Sequence, residues 1–316
     1  MEYLPWIEKY RPSLINEIVS HTQIIDTIKK LIKSNILPHL LFYGPSGTGK
    51  TSTIMAIAHE LYGNNIRLMI MKLDASDDRG INSVREDIKG FADKTNMFVS
   101  GVKLIILDEA DSMTVDAQFA LRRIIEKYSD TLRFCLICNY ENKIIPAIKS
   151  RFANFRFGII NESHICERLS YIASQENINI NNDAINIISK ISKGDLRKAI
   201  NLLQTITMQT NNIDVDICYK LSGIPITKDV INILNLLNDN TISYKNKYFT
   251  IYNFINNPKN NYSLQTLIKE IFNYIIESKN TYYNPLIISK LANLENIILK
   301  NTNNDIYISG LINIFI

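Results

Sequence analysis

Between residues 38 and about 138, short apolar runs alternate with stretches in which apolar residues recur every three or four positions. The runs read as buried strands, and the spaced stretches as helices with one packed face. Strands are expected at 39–43, 67–73, 103–107 and 132–138. Ile54, Ile57, Ala58 and Leu61 mark a helix ending near Gly63, and Ile81, Val84, Ile88 and Phe91 mark a second. A third is expected from about Val115 to Tyr128. Strands joined by helices imply a right-handed, doubly wound parallel sheet that binds its ligand at the carboxyl ends of the strands.

Beyond Phe157 the strand signal fades. Three helical stretches follow, marked by Ile165, Leu169 and Ile172, then Ala184, Ile188 and Ile191, then Leu196, Ala199, Ile200 and Leu203. Gly223-Ile224-Pro225 breaks the pattern, and from there to Ile316 the chain is rich in Ile, Leu and Asn with a helical period. The expected division is an α/β sheet domain at 1–160, a small helical domain at 161–224 and a helical domain at 225–316. A length of 316 residues is what two or three ordinary domains need.

Composition narrows the class. With 46% hydrophobic and 21% charged residues, neither wholesale disorder nor a fibrous protein fits. A formal net charge of +4 is too mild to make the whole surface attract nucleic acid, so any such contact needs a local patch. Four cysteines are too few for a disulfide framework, and Cys135 and Cys138 have no second pair to close a zinc site. Buried thiols in a reducing compartment are expected. The first residues carry no basic-then-apolar leader, and no run approaches the ~20 apolar residues that a membrane span requires. An intracellular chain with no membrane partner is expected.

The chemistry begins at Gly44, Pro45, Ser46, Gly47, Thr48, Gly49, Lys50 and Thr51, which fit G-x-x-x-x-G-K-[ST] between an expected strand and an expected helix. Glycines leave backbone N–H groups free to wrap phosphates, and the helix N-terminus adds its positive dipole. Lys50 is placed to neutralise β- and γ-phosphates, and the Thr51 hydroxyl to complete a Mg2+ shell. The apolar run at 104–107 ends in Asp108 and Glu109. Asp108 is expected on Mg2+, and Glu109 to polarise an attacking water as general base. Residues 108–111 spell Asp-Glu-Ala-Asp, but a helicase needs two sheet domains, and here only helices follow the first.

With these motifs in place the chain resembles AAA+ ATPases, and among them the small subunits of replication factor C, the sliding-clamp loader. The resemblance is carried by Pro5-Trp6-Ile7-Glu8-Lys9-Tyr10-Arg11-Pro12, Pro38-His39-Leu40-Leu41-Phe42-Tyr43-Gly44, Asp74-Ala75-Ser76-Asp77-Asp78-Arg79-Gly80 and Leu107-Asp108-Glu109-Ala110-Asp111. Ala120-Leu121-Arg122-Arg123, Asn139-Tyr140, Ser150-Arg151-Phe152 and Gly194-Asp195-Leu196-Arg197 extend it to about residue 205. It implies a AAA+ P-loop sheet domain, a helical lid and a C-terminal helical collar.

That resemblance also implies roles. Asn139 becomes the sensor that orients the attacking water, and Arg197 the second sensor, tying the lid to bound ATP. Arg151 becomes a finger that reaches the γ-phosphate of a neighbouring subunit. Tyr10, Arg11 and Pro12 become a wall of the adenine site. Arg79, Arg85 and Lys89 become contacts to the phosphates of primer–template DNA, which gives salt-dependent, sequence-independent affinity. The implied partners are the other replication factor C subunits in a heteropentamer, the clamp and primed DNA, and the implied location is the nucleus. Implied ligands are ATP and Mg2+. The alternative is a subunit that binds ATP structurally and donates Arg151 in trans without needing its own hydrolysis; a third reading is a self-assembling AAA+ motor for branched DNA. Ser-Arg-Phe stands where the family has Ser-Arg-Cys, Ser46 where Pro is usual, and Ser20-His21 where Gly-Gln is common. Apart from the resemblance, His21 reads as a surface residue.

Overall fold

The computed structural model describes residues 4–18, 20–34, 37–75, 80–94, 101–210, 212–239, 241–257, 262–278, 284–298 and 304–315, giving backbone alone at 80–85 and 304. The chain divides into two compact units, Met1–Asn177 with Ser189–Asn201, and Ile178–Ile188 with Leu202–Ile316.

In the first unit five strands, β1 (Leu40–Tyr43), β2 (Ile70–Asp74), β3 (Lys103–Asp108), β4 (Leu132–Cys138) and β5 (Ala153–Arg156), form a parallel sheet in the order β2-β3-β4-β1-β5. The helices of this unit are α1 (Trp6–Lys9), α2 (Thr22–Lys33), α3 (Lys50–Tyr62), α4 (Ile66–Met69), α5 (Gly80–Asp93), α6 (Val115–Tyr128), α7 (Pro146–Lys149) and α8 (Glu162–Gln175). Successive strand residues point to opposite faces, and the two faces bury separate cores. Leu41, Ile105, Leu107, Phe134 and Leu136 pack with Ile88 of α5 and Leu121, Ile124 and Ile125 of α6. Leu40, Phe42, Leu104, Ile106, Cys135 and Ile137 pack with Ile25 and Ile28 of α2 and Ile54 and Ile57 of α3. With both faces covered, the strands need continuous apolar runs, and that makes them legible in sequence.

Two strand expectations are corrected. Residues 67–69 lie in α4, and the strand begins only at Ile70; Leu68 is exposed and Met69 buried. The strand β5 was not expected, because four residues that include Asn154 and Arg156 carry little apolar signal. It forms at the sheet edge by pairing with β1, where Leu40 faces Ala153 and Tyr43 faces Arg156. Cys135 and Cys138 are buried, as expected, and burial pushes the Cys138 thiol up to about 12. Lys103, at the start of β3, is buried; its ammonium donates to the carbonyls of Phe91 (2.7 Å) and Lys94 at the end of α5. A cation on the last carbonyls of a helix satisfies groups that would otherwise lack partners.

His39 precedes β1 and leans on Phe134 and Phe152, its Nδ1 accepting the Phe134 N–H at 3.2 Å. Burial, helped by the Arg133 charge, pulls its pKa from 6.5 to about 4. Below 6.5 the unfolded chain takes up a proton that the folded chain refuses, so stability falls as pH falls through this window and the loss levels off below about 4. The melting temperature should drop over that range, and His39→Gln should flatten the dependence.

Helices α9 (Asn182–Ser192) and α10 (Leu196–Thr207) follow α8, and the two compact units share them. The second unit adds α11 (Val215–Ser222), α12 (Thr227–Asn238), α13 (Tyr244–Ile255), α14 (Leu264–Ser278), α15 (Pro285–Ile298) and α16 (Asn304–Ile314). Their core is built from Leu234 and Leu237, Ile251, Leu267 and Ile271, Leu291 and Leu311, all fully buried. A two-residue parallel bridge, β6 (Asn179–Ile180) with β7 (Asn212–Ile213), was not expected. No helix among the described residues is long and apolar enough to cross a membrane.

Candidate functional site

The parallel sheet delivers the carboxyl ends of β1, β3 and β4 to one edge, and the residues after them carry the chemistry. Gly44 follows β1 with φ 142°, and a Cβ there would stand 2.0 Å from the carbonyl oxygen of Phe157. Gly47 has φ 67°, and a Cβ there would strike the Asp195 carboxylate at 1.8 Å. Only glycine meets both the conformation and the space at these two turns. The loop feeds α3, so the backbone N–H groups of the helix start face the same cavity.

That cavity is lined by Ser46 to Thr51, Asp108, Glu109, Asn139 and Arg197, together with Asp74 and Cys138. Lys50 is 7% exposed, and its ammonium donates to the Gly44 and Pro45 carbonyls (both 2.7 Å) and to Asn139 Oδ1 (3.0 Å). Burial lowers its pKa, opposed by the neighbouring Cys138, Asp108 and Asp111. The Thr51 hydroxyl donates to Asp108 Oδ2 at 3.1 Å. A hydroxyl and a carboxylate this close are hard oxygen donors of the kind Mg2+ accepts beside phosphate oxygens. Among the described residues no group of three or more His, Cys, Asp or Glu could hold a metal, so those residues supply no complete cage. Sharing with phosphates is how Mg2+ is ordinarily bound.

Glu109 occupies the left-handed region at φ 54°, where a non-glycine residue is strained, and its side chain stands exposed at the cavity. The conformation turns the chain sharply after Asp108, and a short helical turn at Ala110–Ser112 follows. Asp111 accepts the backbone N–H groups of Asn139 (3.3 Å) and Tyr140 (3.2 Å) through Oδ2, fixing the end of β4 to the end of β3. Sequence reasoning missed this positioning role, although Asp111 stands within the acidic cluster.

Asp195 was also missed. It caps the start of α10 through the N–H groups of Arg197 (2.9 Å) and Lys198 (3.2 Å), and its other oxygen accepts the Ser46 hydroxyl at 2.9 Å. The Leu196 N–H donates to the Gly47 carbonyl at 3.2 Å. Ser46, which departs from the common Pro, thus holds the phosphate loop to the helix that carries Arg197.

Other expected residues lie elsewhere. Tyr10 and Arg11 line a second cavity with Arg168 and Tyr171 of α8. Tyr10 is tied there by its hydroxyl on Glu176 (2.6 Å) and by Arg168 on its carbonyl (2.6 Å). Glu176 also accepts from Lys9 at 2.6 Å, and these bonds hold its carboxyl below the usual range against the opposing effect of burial. Pro12 follows in a segment outside any helix or strand. Arg151 is outside the phosphate cavity: its guanidinium bridges the Ala147 carbonyl (2.7 Å) and Glu126 (2.7 Å), and Glu126 also pairs with Arg122 at 2.9 Å. Lys89 is exposed on α5, whereas Arg79 and the Arg85 side chain lie outside the described residues. His21, expected at the surface, is instead half-buried with its ring edge-on to Phe157 at 5.0 Å.

Known proteins match this chain in two ways. The family model "ATPase family associated with various cellular activities (AAA)" matches residues 40–158, and "RCF1/5-like, AAA+ ATPase lid domain" matches 167–208. Replication factor C subunit 3 of Schizosaccharomyces pombe is 51% identical over 247 residues, 76% of this chain and 72% of that one. Replication factor C subunit 5 of Homo sapiens is 48% identical over 246 residues, covering 77% and 72%. A putative replication factor C small subunit of Acanthamoeba polyphaga mimivirus is 49% identical over 279 residues, 85% of this chain and 80% of that one. Among solved structures, the Thermotoga maritima RuvB Holliday junction branch migration motor superposes with a TM-score of 0.56 at 18% identity, covering 87% of this chain and 93% of that one. At that identity the likeness is one of fold alone.

Proposed function

Because this chain belongs to the replication factor C small-subunit family of AAA+ ATPases, we propose that it is a hydrolysing subunit of a heteropentameric clamp loader, spending ATP to open a sliding clamp and close it on primer–template DNA in replication and repair. The observation that carries the reading is one cavity lined by Lys50, Thr51, Asp108, Glu109, Asn139 and Arg197, with Arg151 facing away from it on Glu126. A site that holds base, sensor and phosphate cradle but lacks its own finger is half of a shared active site.

In this reading the backbone N–H groups from Gly44 to Thr51 wrap the phosphates and Lys50 leaves its three oxygen partners for the β- and γ-phosphates. Thr51 and Asp108 would hold Mg2+, which when bound neutralises charge between those phosphates. Glu109 takes the proton of the attacking water, and Asn139, released from Lys50, orients that water. Arg151 of one subunit spreads positive charge over the transferring phosphoryl group of the next. Arg197 and Asp195, one on the phosphates and one on the loop, make α10 the element through which bound ATP moves the lid. The division into a AAA+ domain at 1–160, a lid at 161–224 and a collar at 225–316 belongs to the same proposal. So do the DNA contacts at Arg79, Arg85 and Lys89 and a nuclear location; exposed Lys89 on α5 supports the DNA path.

The test is ATP turnover by the full chain alone and reconstituted with sister subunits, clamp and primed DNA at one salt concentration. Little turnover alone and strong stimulation on assembly are expected. Equal turnover in both states would overturn the shared-site reading.

A further inference from the structure

The phosphate loop and the start of α10 meet through three contacts of different kinds. The Ser46 hydroxyl donates to Asp195 Oδ2 at 2.9 Å, the Leu196 N–H donates to the Gly47 carbonyl at 3.2 Å, and Gly47 packs so closely on Asp195 Oδ1 that no Cβ fits between them. All of these residues belong to the first compact unit. Both sides of the junction are braced. The Thr48 hydroxyl donates to the Pro45 carbonyl at 2.9 Å, and the Lys50 ammonium reaches the same carbonyl at 2.7 Å. Opposite them, Gly194 turns at φ 86°, where a Cβ would stand 2.8 Å from that of Ile159, and the Asp195 N–H donates to the Ser192 carbonyl at 3.1 Å.

The two oxygens of Asp195 serve different elements. Oδ1 accepts the N–H groups of Arg197 (2.9 Å) and Lys198 (3.2 Å), which caps α10 and sets a negative charge against its positive end. Oδ2 accepts the loop hydroxyl instead. One planar carboxylate therefore stands between Ser46 and the backbone of Arg197, with no rotatable bond between its two oxygens. Arg197 lines the same cavity as Ser46, Lys50 and Thr51. A guanidinium is a fork of fixed geometry, and it binds a phosphate best when its base is already aimed. The terminal phosphate is the group that distinguishes a nucleoside triphosphate from a diphosphate.

We propose that Ser46 is a positioning residue that sets the preference of this site for a nucleoside triphosphate over a diphosphate, acting through Asp195 on Arg197. The proposal rests on the reading of the phosphate cavity as a nucleotide site with Arg197 on the phosphates. Without a hydroxyl at position 46 the Oδ2 side of Asp195 is left to water, and the loop no longer fixes the carboxylate that orients the Arg197 backbone.

The experiment measures equilibrium binding of ATP and of ADP to the full chain and to Ser46→Ala, Ser46→Thr, Asp195→Asn, Arg197→Ala, Lys50→Ala and the double variant Ser46→Ala/Arg197→Ala. Ser46→Ala should lower ATP affinity by about 3- to 10-fold, the range of one net hydrogen bond, and leave ADP affinity nearly unchanged, so the ATP-to-ADP ratio falls. Ser46→Thr, which keeps the hydroxyl, should keep the ratio. Asp195→Asn keeps a good helix cap but loses the charge on the bond, and it should move the ratio the same way by less. Arg197→Ala should abolish the preference, and adding Ser46→Ala to it should change the ratio no further, because the two act on one contact. A ratio unchanged by Ser46→Ala, or ATP and ADP weakened equally, overturns the inference and leaves the phosphate site standing. Losses in the ratio that add in the double variant overturn it as well, since the hydroxyl then acts apart from the guanidinium. Failure of the intact chain to bind either nucleotide, or binding indifferent to Lys50→Ala, overturns the site itself.

Discussion

Replacing Arg151 with alanine should lower ATP turnover by the assembled complex by about 10³-fold or more, the worth of an arginine finger in phosphoryl transfer, while ATP binding by the isolated chain stays as it was. The asymmetry follows from position. Arg151 has no place in the cavity lined by Lys50 and Glu109, and its charge rests on Glu126, which already answers Arg122. Two guanidiniums share one carboxylate, so the pairing leaves excess positive charge at an exposed surface, where solvent screening leaves an ion pair little net stability. Such a contact yields readily to a phosphoryl group. Single-turnover measurement on mixed complexes, with the variant in one subunit only, should assign the loss to the neighbour's site. A loss confined to the variant's own site would mean that the finger acts in cis and that the shared-site reading is wrong.

Replacing Glu109 with glutamine should reduce turnover at this chain's own site by about 10²- to 10⁴-fold, the range of general base catalysis, and leave ATP affinity nearly unchanged. Glutamine keeps the shape and the strained backbone turn but cannot take a proton. Lys50 and the loop amides, which hold the phosphates in the proposed site, are untouched by the change. Equilibrium binding measured beside presteady-state phosphate release separates the two effects. If clamp loading by the assembled complex survives Glu109→Gln and fails with Arg151→Ala, the chain serves as a switch and finger donor, and its own hydrolysis is dispensable. If both variants fail, hydrolysis at this site is part of the cycle.

Of the two, Glu109 is singled out by the local pattern of the sequence, whereas the role of Arg151, like that of Asn139, is implied only by the family resemblance. A phosphate loop is eight consecutive residues, and an acidic pair ends one apolar run, so motif and element are read together. Elements buried on both faces announce themselves the same way, as β1, β3 and β4 do. Less is legible where a residue's environment is set by distant chain. Lys103 is an ordinary lysine until β3 brings it under the end of α5. Asp111 is one more acidic residue until the ends of β3 and β4 meet.

The sequence by itself determined the class of the fold, the order of strand and helix, and the identity of the groups that can cradle phosphate, accept a proton and bind a hard cation. Those follow from period, from glycine and from side-chain chemistry, all properties of a few neighbouring residues. Only the tertiary structure decided that β5 closes the sheet edge beside β1, that Ser46 ties the phosphate loop to Asp195 across 149 positions of chain, and that Arg151 turns away from its own cavity. It decided also that His21 is half-buried with its ring against Phe157. These depend on which surfaces meet once the apolar faces are buried, and no local pattern carries that information.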